Sequence, residues 1–358
     1  MVPAAQPTRR SVLAASLALG ACQRPVSSSA QDLSSEPLKK VAPFAIGTAV
    51  QSAQFADPAL SSLFTREVSQ LTPEWEMKME YILRPDGSFQ FAAPDRIADF
   101  ASQNGLALFG HTLIWYEETP AAFERLDQSK IPFRQAFANY IEAVVGRYRG
   151  RAVGWDVVNE PIAEDGNGLR ESLWSARLGD IGYMELAFEL ARRADPQPVL
   201  FLNDYNLESN PAKRAAFLNL AERLLAAGAP LGGLGTQTHV AADLRRGAIT
   251  ACVADLGSLG LQVRISEMDV SLSEAKALFT GRSGLLSAQA RLYAEAAEAM
   301  MALPAAQRFG VTFWGLRDRD SWLRREHPGD SPLLFDDQGR PKPDLAAFES
   351  RLTPRRKG

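Results

Sequence analysis

From residue 41 onward, short apolar runs alternate with longer stretches in which apolar positions recur every three or four residues. The short runs are 43–50 (PFAIGTAV), 69–73 (SQLTP), 106–112 (LALFGHT), 152–159 (AVGWDVVN), 199–205 (VLFLNDY), 233–239 (GLGTQTH), 262–269 (QVRISEMD) and 309–316 (FGVTFWGL). Several are continuously apolar, which predicts strands covered on both faces, as in a parallel sheet. Helical periodicity fills the intervals. Asp57-Pro58 reads as an N-cap followed by a first-turn proline. Phe137, Ile141, Val144, Val145 and Tyr148 make one stripe over 134–149, which stops at Gly150. The segment 211–227 opens on Pro211 and carries Phe217, Leu220, Leu224 and Leu225 before Gly228; 285–303 is a further Ala- and Leu-rich helix. Eight strand-then-helix units predict an α/β fold, a (β/α)8 TIM barrel forming a single domain over 41–352. A doubly wound sheet is the competing topology, disfavoured because no Gly-rich dinucleotide or phosphate loop follows an early strand.

The N-terminus carries a different pattern. Thr8-Arg9-Arg10-Ser11-Val12-Leu13 has the arginine pair of a twin-arginine export signal, and an apolar stretch from Ser11 to Ala21 follows. It ends in Leu19-Gly20-Ala21-Cys22, which resembles a bacterial lipobox with Cys22 as the lipidated residue. A plain secretory signal with a chance cysteine is the alternative. Residues 1–22 are thus expected to be an export signal, 23–40 a flexible Ser-, Gln- and Pro-rich tether, and 353–358 a basic tail. The chain is expected at the periplasmic side or the cell surface, touching membrane only through the lipid. No apolar run reaches the roughly 18 residues of a spanning helix.

Composition adds limits. The net charge of −3 gives no basic excess for a nucleic-acid partner, and 46% hydrophobic with 23% charged residues is ordinary for a globular protein. Cys252 alone remains after Cys22, so no internal disulfide forms, and it reads as a buried helix residue. Histidines at 111, 239 and 327 lack metal-ligand spacing, so no metal or other cofactor is expected. Nothing indicates an oligomer, and a monomer is expected.

In a barrel of this type the working residues stand where strands end. Those positions read Glu74, Trp75 and Lys78; His111 and Trp115; Asn159 and Glu160; Asn203 and Tyr205; Gln237 and His239; Glu267 and Asp269; Trp314 and Trp322. A structural strand end would more often carry Gly, Ser or Asp. Glu160 and Glu267, at the ends of the fourth and seventh strands, form a pair across the barrel mouth. Glycosidic hydrolysis needs such a pair: a proton donor for the leaving oxygen and a second carboxylate on the opposite face.

These motifs identify a resemblance. Thr72 to Lys78, His111-Thr112-Leu113-Ile114-Trp115, Trp155 to Pro161, Asn203-Asp204-Tyr205-Asn206, Gln237-Thr238-His239, Ser266 to Asp269 and Trp314 to Trp322 occur in order, and Pro332 to Asp336 with Pro341-Lys342-Pro343 closes the series. The chain from about 43 to 350 resembles the family 10 glycoside hydrolases, the main family of (β/α)8 endo-β-1,4-xylanases. The resemblance implies a retaining, endo-acting hydrolase of xylan or a related β-1,4-glycan. Glu160 would be general acid and then base, and Glu267 the nucleophile, with carboxyls about 5–5.5 Å apart. Asn159 would hold the 2-hydroxyl of the reacting sugar; His239 would orient Glu267, with Asp269 behind it. Glu74, Lys78, His111, Trp115 and Gln237 would contact sugars on the non-reducing side, Tyr205 would line the leaving-group side, and Trp314 and Trp322 would stack on pyranose faces.

Three positions depart from the family pattern: Trp75 where Asn is usual, Tyr116 where His is, and Glu118 where Gln is. All three are expected in the glycone half of the cleft, Glu118 adding a charge for substrate to meet. They point to a glycone preference moved toward a bacterial exopolysaccharide or decorated glycan, unless they are neutral variants of a xylanase. A non-catalytic carbohydrate-binding barrel is the other alternative, and it would predict loss of Glu160, Glu267 or Asn159.

Overall fold

The computed structural model describes residues 36–126, 130–276 and 281–352, which fall within one compact unit, Ser34–Gly358. The export signal with Cys22, the tether as far as residue 35 and the tail 353–358 lie outside the described residues. The tether ends earlier than expected: Leu38–Val41 is a helical turn, Leu38 is buried, and its N–H donates to Glu67 Oε2 (2.9 Å).

Eight parallel strands close into a barrel. They are β1 Ala45–Val50, β2 Gln70–Pro73, β3 Ala107–Gly110, β4 Ala152–Asn159, β5 Val199–Asp204, β6 Gly233–Thr236, β7 Gln262–Ser271 and β8 Arg308–Phe313. Each pairs with its neighbour in sequence, and β8 pairs with both β7 and β1, so no open edge remains and a doubly wound sheet is excluded. Every expected apolar run overlaps one of these strands; β7 continues two residues past its run and β8 begins one residue before its own. Helices follow where periodicity placed them: Pro58–Glu67, Lys130–Arg147, Pro211–Ala226 and Gly281–Ala302. Asp57 Oδ1 accepts the Ala59 and Leu60 N–H groups (3.0 and 3.2 Å), the cap its sequence predicted.

Inside the barrel, Phe109, Phe201 and Phe309 pack with ring centroids 4.8 to 5.7 Å apart. Two glycines make room for them. A Cβ on Gly154 would stand 2.5 Å from the Phe109 ring, and one on Gly233 would stand 2.2 Å from Phe201. The buried Arg264 guanidinium lies 3.5 Å from the Phe109 centroid and separates this apolar layer from the polar mouth.

Two short pairings above the barrel set the mouth. Ile114–Trp115 pairs with Val158 and Asn159, which places Trp115 next to Glu160. The expected strand 233–239 breaks at Gln237 and Thr238 (φ 59°) and resumes as His239–Ala241 against β7, with His239 in register with Asp269.

Candidate active site

Glu160 follows β4 directly in the left-handed conformation (φ 57°), while its N–H continues the ladder to Asn203 O (2.7 Å). Its carboxylate is held at both oxygens. Trp115 Nε1 donates to Oε2 (2.8 Å); Gln237 Nε2 and Asn159 Nδ2 donate to Oε1 (2.8 and 3.0 Å). Glu267 lies within β7. Asn203 Nδ2 donates to its Oε1 (2.9 Å), and His239 Nε2 lies 3.4 Å from its Oε2. Asn203 Nδ2 also donates to Asn159 Oδ1 (2.9 Å), and its own Oδ1 accepts Ser266 Oγ–H (2.7 Å), so one amide ties the two carboxylate settings together.

The two carboxyls differ in proton affinity. Burial pushes Glu160 above its ordinary value; the bonds from Gln237 and Trp115 oppose this, and the charge of Glu267 adds to it. Burial acts on Glu267 in the same sense, yet the fields of His111 and His239, the His239 hydrogen bond and Lys78 outweigh it and hold Glu267 down to about 2. His239 loses hydration too, but Asp269 and Glu267 raise it to about 10. Its Nδ1 is 2.9 Å from Asp269 Oδ2, which also accepts Trp322 Nε1–H (2.9 Å).

The carboxylates border one cleft of about 480 Å³, also lined by Glu74, Trp75, Lys78, Trp115, Tyr205, Gln237, His239, Trp314 and Trp322. Glu74 accepts Gln51 Nε2–H (2.9 Å), and burial raises its carboxyl. Lys78 Nζ stands 4.3 Å from the Trp115 centroid. Trp314 packs edge-on against both His111 and His239, with centroids 5.3 and 6.0 Å away. A second depression of about 580 Å³ shares His239 and runs past Asn206, Ser209, Asp243 and Lys276.

Several expected site residues also have protein partners. His111 and Asn159 are buried behind the wall, His111 Nδ1 lying 2.8 Å from Asp156 Oδ2. The Gln237 amide lines the cleft and also donates to Glu160. The three departures take different settings: Trp75 and Tyr116 line the cleft and Glu118 does not. Trp75 does face the cleft, 38% exposed and edge-on to Tyr81. Tyr116 turns to the Glu160 side: Arg170 stacks on its ring (4.0 Å), donates to Tyr205 Oη (3.1 Å) and donates to the Glu160 carbonyl (3.2 Å). Glu118 meets no substrate. It is buried, and its carboxylate accepts the Met79 and Glu80 N–H groups (3.1 and 3.0 Å), because the loop after β3 folds back onto the loop after β2.

Residues outside the expected set also build the site. Arg264 Nη1 is 3.2 Å from Asp156 Oδ2, and its Nη2 donates to Thr72 and Thr312 (both 3.1 Å). A charge inside an apolar strand run demands a buried partner, so Arg264 in QVRIS and Asp156 in GWDVV carried a legible signal. Arg170, in a loop, and Arg325, which lines the cleft at the end of the 3-10 turn Trp322–Arg325, carried no such signal.

The sequence profile of glycosyl hydrolase family 10 matches residues 36–351. Endo-1,4-beta-xylanase A of Cellvibrio japonicus is 34% identical over 348 residues, covering 89% of this chain and 57% of the relative. Endo-1,4-beta-xylanase A of Caldicellulosiruptor sp. is 35% identical over 324 residues, covering 87% and 46%. The chain spans about half the length of these two curated relatives. The solved structure of native xylanase 10B from Thermotoga maritima superposes with a TM-score of 0.80 at 30% identity, covering 88% of this chain and 98% of that one. The chain belongs to glycosyl hydrolase family 10.

Proposed function

We propose that this protein is a retaining, endo-acting glycoside hydrolase that cleaves internal β-1,4 bonds of xylan. One observation carries the reading: two buried carboxyls border one cleft with opposed proton affinities, Glu160 raised and Glu267 held to about 2. Glu267 attacks the anomeric carbon while Glu160 gives its proton to the departing glycosidic oxygen, leaving a glycosyl ester on Glu267. The ester carries no charge, so the part of the rise in Glu160 that came from the Glu267 charge disappears and Glu160 becomes a stronger acid. It then stays ionised, takes a proton from water, and the resulting hydroxide displaces Glu267 with net retention. His239 and Asn203 hold the nucleophile, and Trp115, Gln237 and Asn159 hold the acid. The second depression beyond His239 gives a polymer room on the leaving-group side, which suits internal cleavage.

A shifted glycone preference is not favoured. Of the three residues behind it, Glu118 is buried away from the cleft and Tyr116 is engaged by Arg170, and the relatives reported above are described as xylanases. Mass spectrometry of products from xylo-oligosaccharides in ¹⁸O-labelled water tests bond position, and early NMR of the product anomer tests retention. Release of monosaccharide only from chain ends, or an inverted first product, would refute the proposal.

We infer from Thr8–Leu13 and Leu19–Cys22 that the protein is exported and anchored by lipid on Cys22, working as a monomer on the outer side of a membrane. Metabolic palmitate labelling should mark the wild type and spare Cys22→Ala; equal labelling refutes the anchor. Light scattering at the mass of a dimer would refute the monomer.

A further inference from the structure

The helical turn Met79–Ile82 has Lys78 as its N-cap, and no side chain there closes the cap. The closure comes from Glu118, 38 to 39 residues away, whose two oxygens accept the Glu80 and Met79 N–H groups. Glu80 returns the contact: its Oε1 accepts Thr119 N–H (2.9 Å). Three hydrogen bonds to carboxylates therefore staple the loop after β2 to the loop after β3. Both loops carry cleft residues, Trp75 and Lys78 on one and Trp115 on the other. Those side chains meet across the staple, Lys78 Nζ over the Trp115 ring, and Trp115 passes the constraint to Glu160 through its indole N–H. An uncapped turn would leave Lys78 free to swing away from the ring it covers.

We propose that Glu118 is a positioning residue that clamps these two loops, so that Lys78 and Trp115 form one rigid rim for the sugar on the non-reducing side. The proposal rests on the hydrolase reading above and adds a residue that touches no substrate. A glutamine at this position would have one acceptor oxygen and would turn an N–H toward one of the two backbone donors.

The clamp is also sensitive to acid. Burial pushes Glu118 up to about 7, against the two backbone donors and the attraction of Lys78, while the charge of Glu80 adds to the rise. The buried Tyr140 phenol, on helix Lys130–Arg147, also feels the charge of Glu118. Above this range Glu118 is ionised and accepts from both N–H groups. As pH falls through it, one oxygen takes a proton and one backbone donor loses its acceptor.

The test compares wild type with Glu118→Gln on xylotetraose between pH 5 and 9. At pH 8, KM should rise about tenfold in the variant with kcat within about twofold. In the wild type KM should climb as pH drops through 7, and in Glu118→Gln this dependence should be flat. Unchanged KM with an unchanged pH profile overturns the proposal, as does a lowered melting temperature with KM intact. If Glu118→Gln does not fold, Glu80→Gln, which weakens only the returned bond, should raise KM in the same direction; a folded Glu80→Gln with wild-type KM overturns the clamp. A wild type that cleaves no β-1,4-glycan refutes the hydrolase reading instead. The clamp is then read from tryptophan fluorescence, where a transition near pH 7 must be absent from Glu118→Gln, and identical titrations overturn it.

Discussion

Replacing His239 by Asn removes the cation that holds the nucleophile, and the consequences follow from the geometry. Glu267 stands at about 2 against an ordinary 4.5, which corresponds to about 3 kcal/mol in favour of its ionised form. His239 supplies both a hydrogen bond and a charge to that difference, alongside the field of His111. With His239 gone, burial continues to act upward while the fields of His111 and Lys78 remain, so the proton affinity of Glu267 should rise toward its ordinary value. The acid limb of kcat/KM should therefore move upward from its wild-type position. The sign for stability is also fixed. Glu267 is depressed, so its contribution is present above pH 4.5 and lost as pH falls toward 2. His239 is raised, so its contribution is complete below 6.5 and lost as pH rises toward 10. The pair stabilises the fold in full between those two ordinary values. In His239→Asn, buried Asp269 keeps only the Trp322 N–H, and an unpaired buried charge costs about 3–5 kcal/mol. A lower melting temperature is thus expected, but a general loss of stability would not displace the acid limb. The assay is kcat/KM on an aryl xylobioside from pH 2.5 to 8, with folding verified by circular dichroism. An acid limb at the wild-type position refutes the assignment of His239 as the group that keeps Glu267 ionised.

Three further outcomes are expected. Glu267→Ala should lose about 10⁴-fold or more in kcat, and azide should restore turnover as a glycosyl azide of inverted configuration; a retained product in azide would remove Glu267 from its role. Trp115→Phe deletes a hydrogen bond that lowers Glu160, so the basic limb of kcat should move upward while kcat itself falls about fivefold, and a limb that moves down contradicts the reading. Lys213 is buried 3.1 Å from Asp204 Oδ1 and stacks 3.5 Å from the Tyr205 centroid; Lys213→Met should destabilise by about 3–5 kcal/mol in urea titration, and a loss under 1 kcal/mol would show the pair to be dispensable.

The barrel was legible because its strands are buried on both faces. Continuous apolar runs such as VLFLN and the helix signals at Asp57-Pro58 and Pro211 are local, and they survive in the folded chain with boundaries moved by a few residues. The candidate pair was legible for a related reason: in a parallel barrel every strand end faces the same mouth, so polar strand ends converge whatever their separation in sequence. The boundary at 41 failed because Leu38 is one apolar residue in a polar stretch, too little to register as a pattern, yet enough to fill a site beside Glu67.

Sequence alone thus determined the fold class and brought Glu160, Glu267, His239 and Asp269 to one mouth. Tertiary structure decided what each polar side chain spends its hydrogen bonds on. Gln237 serves Glu160, 77 residues away; Asn203 links the two carboxylates; Arg264 reaches Asp156 over 108 residues; and Glu118 caps a turn instead of meeting substrate. Those partners follow from how the barrel closes and how its loops fold over one another. A carboxylate or an amide bonds to whichever donor burial leaves beside it, and that neighbour is set by register and loop path, which local periodicity does not encode.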